Sequence, residues 1–382
     1  ALDEVVAVGY GTQKRKDVTG SVASVSAESL AAIPVASASE ALTGKMAGVQ
    51  ITTTEGSPDA EVTIRVRGGG SITGDNSPLF IVDGFPVESI SDIAPSDIES
   101  IDVLKDASST AIYGSRGANG VVLVTTKSGK EGKVQVAYNA FYSVKKLTKK
   151  LDVLSSKDYV MWQYELMQLK KGNTEDVNPT DFTEKFGNWE DIDLYDDVKS
   201  NDWQDLTFGR LGSSFNHNLS IMGGGDSFKY NISYAMVTDK AIMEMSGFKR
   251  DKFSAQFNSK PHKKIGLDFS MRYSKTKVFG ASTSTNEDKG STRESRVKYA
   301  VIFIPFPVKG LISDEGETDP DFNLYNPIES ISDNDRLTYK KQFNAQFAFS
   351  WEILDGLKLK SEVGFNDNKS DESRFFGLTT YY

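Results

Sequence analysis

The sequence predicts a small α+β domain followed by the antiparallel strands of a transmembrane β-barrel, and three observations predict it. A short β-prone tag, Glu4 to Gly11, precedes a glycine-studded stretch with short strands and helices. After it come seven stretches that alternate apolar and polar residues with the period of a strand. The links between those stretches are tight at one end and long at the other, as in outer-membrane barrels. The implied division is 1–17 for the tag and a linker, 18–132 for the small domain, and 133–382 for the strands and their loops.

Composition sets the bounds. The 382 residues carry 53 acidic against 44 basic side chains, a formal charge of −9, which disfavours a nucleic-acid binder because phosphate contacts need clustered Lys and Arg. Cysteine is absent and only His217 and His262 remain as imidazoles, so neither disulfides nor a zinc site are expected. No run of ~18 apolar residues occurs, which speaks against a membrane helix and leaves a barrel untouched. Ala1 is followed by no basic-then-apolar leader, so an export signal is expected to have been removed or to lie upstream.

Within 18–132, Val18 to Val25 alternates as a short strand, and Ser37 or Ser39 can cap a helix through Met46 that Gly48 ends. Val49 to Ile51 and Val62 to Val66 read as strands, as does Leu79 to Val82 before the Asp83-Gly84 turn. Gly68 to Gly70 suggest a phosphate loop, but the Gly-Lys-Ser/Thr ending is missing and a plain turn is the better reading. Ile98 to Gly129 gives a strand (Ile101 to Leu104), a helix (Asp106 to Tyr113), Gly114 as its stop, and a strand (Val121 to Thr126), a βαβ-like unit. Arg116, in the turn after Gly114, is either solvated or a fork for carboxylates on another surface.

Phe343, Ala345, Phe347, Phe349 and Trp351 share one face of a strand opposite Gln342, Asn344, Gln346, Ala348, Ser350 and Glu352. The same pattern recurs in Val134 to Tyr142, Phe215 to Ile221, Phe228 to Met236, Phe253 to Phe257, Ile265 to Tyr273 and Leu357 to Phe365. Gly223 to Asp226, Lys260 to Lys264 and Ile353 to Gly356 are tight turns, whereas 143–213 and 278–335 are large insertions and 238–251 is of moderate length. An outward row of Phe, Tyr, Leu and Ile would face lipid, and an inward row of Asn, Ser, Lys and Gln would face water. About seven strands cannot close in lipid, so the chain is expected to be part of a longer protein. In the first long loop, Lys157 to Lys171 reads as a helix, followed by an acidic, aromatic stretch around Trp189, Asp191, Asp193, Asp196 and Trp203. Calcium or sugar binding there is possible in principle, but no regular ligand spacing appears and a solvated loop is the plainer reading.

These residues resemble the SusC/RagA-like TonB-dependent outer-membrane transporters over the whole sequence. Leu2 to Gln13 looks like the family's TonB box, and Ile64-Arg65-Val66-Arg67-Gly68, Asn76 to Gly84 and Val103 to Gly120 look like its plug hallmarks. The resemblance implies a plug inside an outer-membrane barrel of about twenty-two strands, of which some seven are here. It implies TonB contact through Val5, Val6, Ala7, Val8, Gly9 and Tyr10. It also implies a SusD-like surface lipoprotein as lid, with a dimer of such pairs as a further expectation. Energy would come from the proton-motive force through TonB–ExbB–ExbD, with no cofactor, metal or catalytic residue. Arg65, Arg67 and Arg116 are the expected plug–barrel ionic contacts, and Ser71, Thr73, Asp75 and Asn76 the expected substrate contacts. Oligosaccharide is the first expectation for the substrate, a peptide the second, and a metal chelate or vitamin the third. Two features depart from the family pattern: no carboxypeptidase-regulatory-like domain precedes the TonB box, and the rest of the barrel is not in this sequence. The rivals are a glycosidase using paired carboxylates, although the acids sit mainly in loops, and a soluble β-rich adhesin, which the lipid-suited faces oppose.

Overall fold

The computed structural model describes residues 5–8, 11–14, 22–31, 37–53, 62–66, 76–171, 179–280, 296–306 and 326–378. At the start, β1 (Val5–Val8) pairs antiparallel with β2 (Gly11–Lys14) as a ribbon that joins no other sheet among the described residues.

The small domain follows with β3 (Val22–Ser26), β4 (Val49–Thr53), β5 (Val62–Val66), β6 (Leu79–Val82), β7 (Phe85–Val87), β8 (Ile98–Leu104) and β9 (Val121–Thr126). Five of these form a sheet in the order β3-β8-β9-β6-β7, while β4 and β5 pair separately. The β-rich runs of Val and Ile that make these strands also make the core: Ile98, Ile101, Val103 and Val122 are fully buried, packed with Leu30, Leu42, Val66 and Val82. The helix after Ser37 is shorter than the sequence suggests, Ala38–Ala41, because the chain turns through Gly44 at φ +71. Asp106 caps the next helix, Ala107–Thr110, accepting from the Ser109 N–H at 2.7 Å.

The βαβ-like reading of 98–129 is corrected by the sheet. β8 and β9 are antiparallel, with Leu104 opposite Val121, so the helical link returns the chain to the sheet end it left. The parallel partner of β9 is β6. The connection makes one short helix and a 3-10 stretch broken at Gly114, and does not run back along the strand as a crossover must.

A second, seven-stranded sheet is an unbroken antiparallel meander: β10 (Gly132–Lys145), β11 (Gly212–Gly224), β12 (Phe228–Lys240), β13 (Gly247–His262), β14 (Ile265–Phe279), β15 (Asn334–Leu354) and β16 (Leu357–Phe376). Its outer strands, β10 and β16, do not meet, and the sheet is open. Turns 225–227, 263–264 and 355–356 lie at one rim, and links 146–211, 241–246 and 280–333 at the other.

Burial across this sheet is inverted relative to a soluble protein. Ser214, Asn216, Asn218, Asn231, Ser233 and Ser274 are buried, whereas Phe215, Leu219, Tyr234, Phe269, Phe347 and Trp351 are exposed. That is the alternation of a barrel wall with an apolar outer face. No described helix is long and apolar enough to cross a membrane.

The two long loops share a core of their own. Helix Ser156–Lys171 sets Tyr159 against Phe306, with ring centroids 6.1 Å apart, and Trp203 Nε1 donates to the Ile304 carbonyl at 2.8 Å.

Candidate functional site

The small domain sits on the polar face of the seven-stranded sheet. Its segment 83–131 supplies acceptors, and the inward rows of β11 to β16 supply most of the donors. Asp97 is buried at the centre of one cluster, where Ser233 Oγ and Ser254 Oγ both donate to its Oδ2, the latter at 3.2 Å, and Asn218 Nδ2 donates to its Oδ1 at 3.3 Å. Nearby, Asp92 takes the Arg272 guanidinium at 3.0 Å and the Asn344 amide at 2.9 Å. Lys252, also buried, donates to the Ile93 carbonyl at 2.9 Å. Two carboxylates from the small domain thus meet an arginine and a lysine from the wall, the arginine in a direct ion pair and the lysine on a backbone carbonyl.

Burying four ions costs desolvation that attraction alone does not repay unless their hydrogen bonds are met. Here serine and asparagine from the wall donate to the two acids, while Asp92 Oδ1 is left without a partner among the described residues. The cluster borders a void of about 20 Å³, lined by Asp92, Asp97, Lys252 and Arg272 together with Phe253 and Met271, which is sized for one water.

The remaining ties are backbone-directed or lie at the edges. Asn231 Nδ2 donates to the Lys127 carbonyl at 2.6 Å, and Gln346 Nε2 to the Asp83 carbonyl at 3.1 Å. Asn368 Nδ2 donates to Glu88 at 2.9 Å, and Lys229 lies 3.4 Å from Glu131. Asp83, at φ +52 in the tight β6–β7 turn, accepts from the Thr126 N–H at 2.9 Å and the Thr126 hydroxyl at 2.7 Å. Gly364 on β16 lets the Phe85 ring come close, and a Cβ there would collide with it.

Of the residues expected from sequence, Val5, Val6, Ala7 and Val8 form β1, whereas Gly9 and Tyr10 lie outside the described residues. Arg65 and Arg116 are exposed and make no ion pair among the described residues, and Arg67 lies outside them. The ionic contacts that the described residues do make have their acids on the domain and their cations on the wall. Ser71, Thr73 and Asp75 also lie outside the described residues, and Asn76 is half-buried just before β6.

Asp92, Asp97, Lys252 and Arg272 were not singled out from sequence. The signal available was the polar row itself, since a lysine or arginine on the wet face of a strand needs an acid opposite it. In the loops, Lys157 bridges Asp193 and Asp196, each at 2.7 Å, and those hydrogen bonds, Asp193's first, hold its ammonium pKa above the usual lysine range.

The family model for the TonB-dependent receptor plug domain matches residues 14–121, which carry β3 to β8 and end at the first residue of β9. The TonB-dependent receptor P26 of Formosa agariphila is 32% identical over 98% of this chain and 36% of its own length. The TonB-dependent receptor SusC of Bacteroides thetaiotaomicron is 37% identical over 68% of this chain and 24% of its own. The chain belongs to the SusC/RagA-like TonB-dependent receptors.

A solved structure of the RagAB peptide importer in its open-open state superposes with a TM-score of 0.77, at 26% identity, covering 97% of this chain and 43% of that one. The chain thus spans a quarter to a third or so of the length of the curated relatives it matches, from 24% to 36%. Membership gives the parts their names. The β3–β9 domain is the plug, β10 to β16 are strands of the outer-membrane barrel, and the polar interface is where the receptor's plug meets its wall.

Proposed function

We propose that this chain belongs to an importer that carries an oligosaccharide across the outer membrane, energised through TonB and lidded by a SusD-like surface lipoprotein. In this reading residues 1–17 are the TonB box and linker, 18–132 the plug, and 133–382 the first strands and extracellular loops of a larger barrel. The observation that carries it is the seating of a small domain on the wet face of a lipid-suited sheet. Its ties to the wall are polar and run from Asp83 to Glu131, so they hold that part of the plug in place while a pull acts on the rest. No catalytic step enters.

The ribbon of β1 and β2 supports the TonB step. A lone two-stranded ribbon is marginally stable, so β1 can exchange β2 for a strand of TonB, with main-chain hydrogen bonds giving affinity and tolerating sequence variation. Force would then pass to the plug through residues 15–21. Proline at Val6 or Val8 removes a ladder donor and should abolish uptake while leaving binding at the outer surface intact. Measuring uptake and cell-surface binding of a labelled oligosaccharide tests both halves, and loss of binding together with uptake would refute the division of labour. A peptide is the second reading, favoured by the likeness to the RagAB peptide importer. The same assay with labelled peptides in place of glycans separates the two.

A further inference from the structure

On the outward face of β13 to β15 the apolar rows end at a common level and lysines replace them. On β14, Phe269, Met271 and Tyr273 give way to Lys275 and Lys277. On β15, Phe347 and Phe343 give way to Lys341, and on β13 Phe253 gives way to Asp251 and Lys249. The register sets Lys249 directly opposite Lys277, and Lys275 directly opposite Lys341.

Like charges facing each other across a strand pair are destabilising, and this chain places two such pairs side by side despite a net charge of −9. All four lysines are exposed. The one acid in their midst, Asp251, stands directly opposite Lys275 and accepts from the Tyr234 hydroxyl at 2.6 Å, and Lys277 lies 5.7 Å from the centroid of the Tyr339 ring. Lys249, Lys275 and Lys341 make no ion pair among the described residues. β16 bounds the patch, for there Lys369 lies 3.4 Å from Asp371, and Asp367 shares their face.

Height says what this patch meets. Lys275 lies ten residues beyond Ile265, where β14 leaves the short-turn rim. At ~3.3 Å per residue and a tilt of ~40°, that is about 25 Å of rise, the full height of a barrel's apolar band. The ammonium groups therefore stand at the headgroup level on the long-loop, extracellular side, directly above a row of aromatic rings.

We propose that Lys249, Lys275, Lys277 and Lys341 dock the phosphate groups of an outer-leaflet glycolipid, whose acyl chains lie along the aromatic row below. The inference rests on the outer-membrane placement of the sheet. Ammonium groups on flexible stems suit phosphate as point charges, and the adjoining rings give acyl chains a surface that free phosphate has no use for.

The test uses the full-length receptor, stripped of lipid and placed in phosphatidylcholine nanodiscs, with phosphorylated lipid A, dephosphorylated lipid A and inorganic phosphate as probes. The intact receptor should bind the phosphorylated lipid ~100-fold more tightly than the dephosphorylated one, and K249S/K275S/K277S/K341S should lose that preference. Heat-modifiable migration of the variant on gels reports that its barrel is assembled. Should it fail to assemble, K249S/K277S and K275S/K341S take its place, each expected to lose ~10-fold. Equal binding of the two lipids, or variants that bind like the parent, would overturn the proposal. Competition by inorganic phosphate at concentrations similar to the lipid's would replace it with a general anion site. A receptor that needs no detergent and shows no heat-modifiable barrel would instead overturn the membrane placement beneath it.

Discussion

Truncating Asp92 to alanine would strand the Arg272 guanidinium, whose side chain is only 8% exposed, against a plug that no longer offers it a carboxylate. Removing one partner of a buried ion pair typically costs about 3–5 kcal/mol, whereas replacing both with apolar residues of similar size is often neutral. Asp92→Ala should therefore loosen the plug, and Asp92→Leu with Arg272→Met should largely restore it. Hydrogen exchange at the amides of β8 and β9 measures this. Equal protection in the single variant and the parent would mean that the pair does not hold the plug. This pair also marks how far single residues were legible. Arg65 and Arg116 were expected contacts through the resemblance, and both are exposed with no ion pair among the described residues. The residues that make the contact lie 180 positions apart for Asp92 and Arg272, and 159 for Ile93 and Lys252. Local pattern marks a residue as wet or dry, but only the docked fold says which wet residues meet.

Elements were far more legible, because strand periodicity is local and all seven wall strands carry it. Their ends were not. The alternation marks 357–365, while β16 runs on to Phe376, where polar residues such as Asn366, Lys369 and Asp371 occupy both faces and the signal vanishes. A strand that projects past the apolar band no longer needs one dry face. The long-loop helix Ser156–Lys171 was also legible, but the packing of its first turn against 3-10 segment Trp189–Asp197 was not, since that depends on Lys157 reaching Asp193 and Asp196. Lys157→Met should raise hydrogen exchange in 189–197 and leave the wall strands unchanged. Because these aspartates raise the ammonium's pKa, the clasp is fully present below the unfolded lysine value near ~10.4 and is lost only as pH climbs through the higher folded value. Near-ultraviolet circular dichroism of the loop aromatics should therefore hold steady through pH ~10 and change above it, and a change beginning near neutrality would contradict the clasp.

At the scale of the molecule, the plug is held unevenly. The hydrogen bonds and ion pairs that tie it to the wall run from Asp83 to Glu131, whereas among the described residues 22–66 contribute none, although β3 is itself paired to β8. A pull arriving at β1 therefore reaches the weakly tied part first, and the antiparallel pair of β3 and β8 is the seam at which that part would separate from the anchored one. Two engineered links distinguish this from removal of the plug as one body, and this chain adds no native cysteine to either. Joining Glu88→Cys to Asn368→Cys with a short thiol cross-linker fastens the anchored part to β16 at a pair whose native side chains are 2.9 Å apart. Joining Ala23→Cys to Val103→Cys by a disulfide closes the β3–β8 seam at residues that are direct cross-strand partners. Uptake should survive the first link and stop with the second, recovering on reduction. Loss of uptake with the wall link would mean that the Asp92 and Asp97 contacts break in every transport cycle, and the buried charges would then be a lock that opens instead of an anchor that stays.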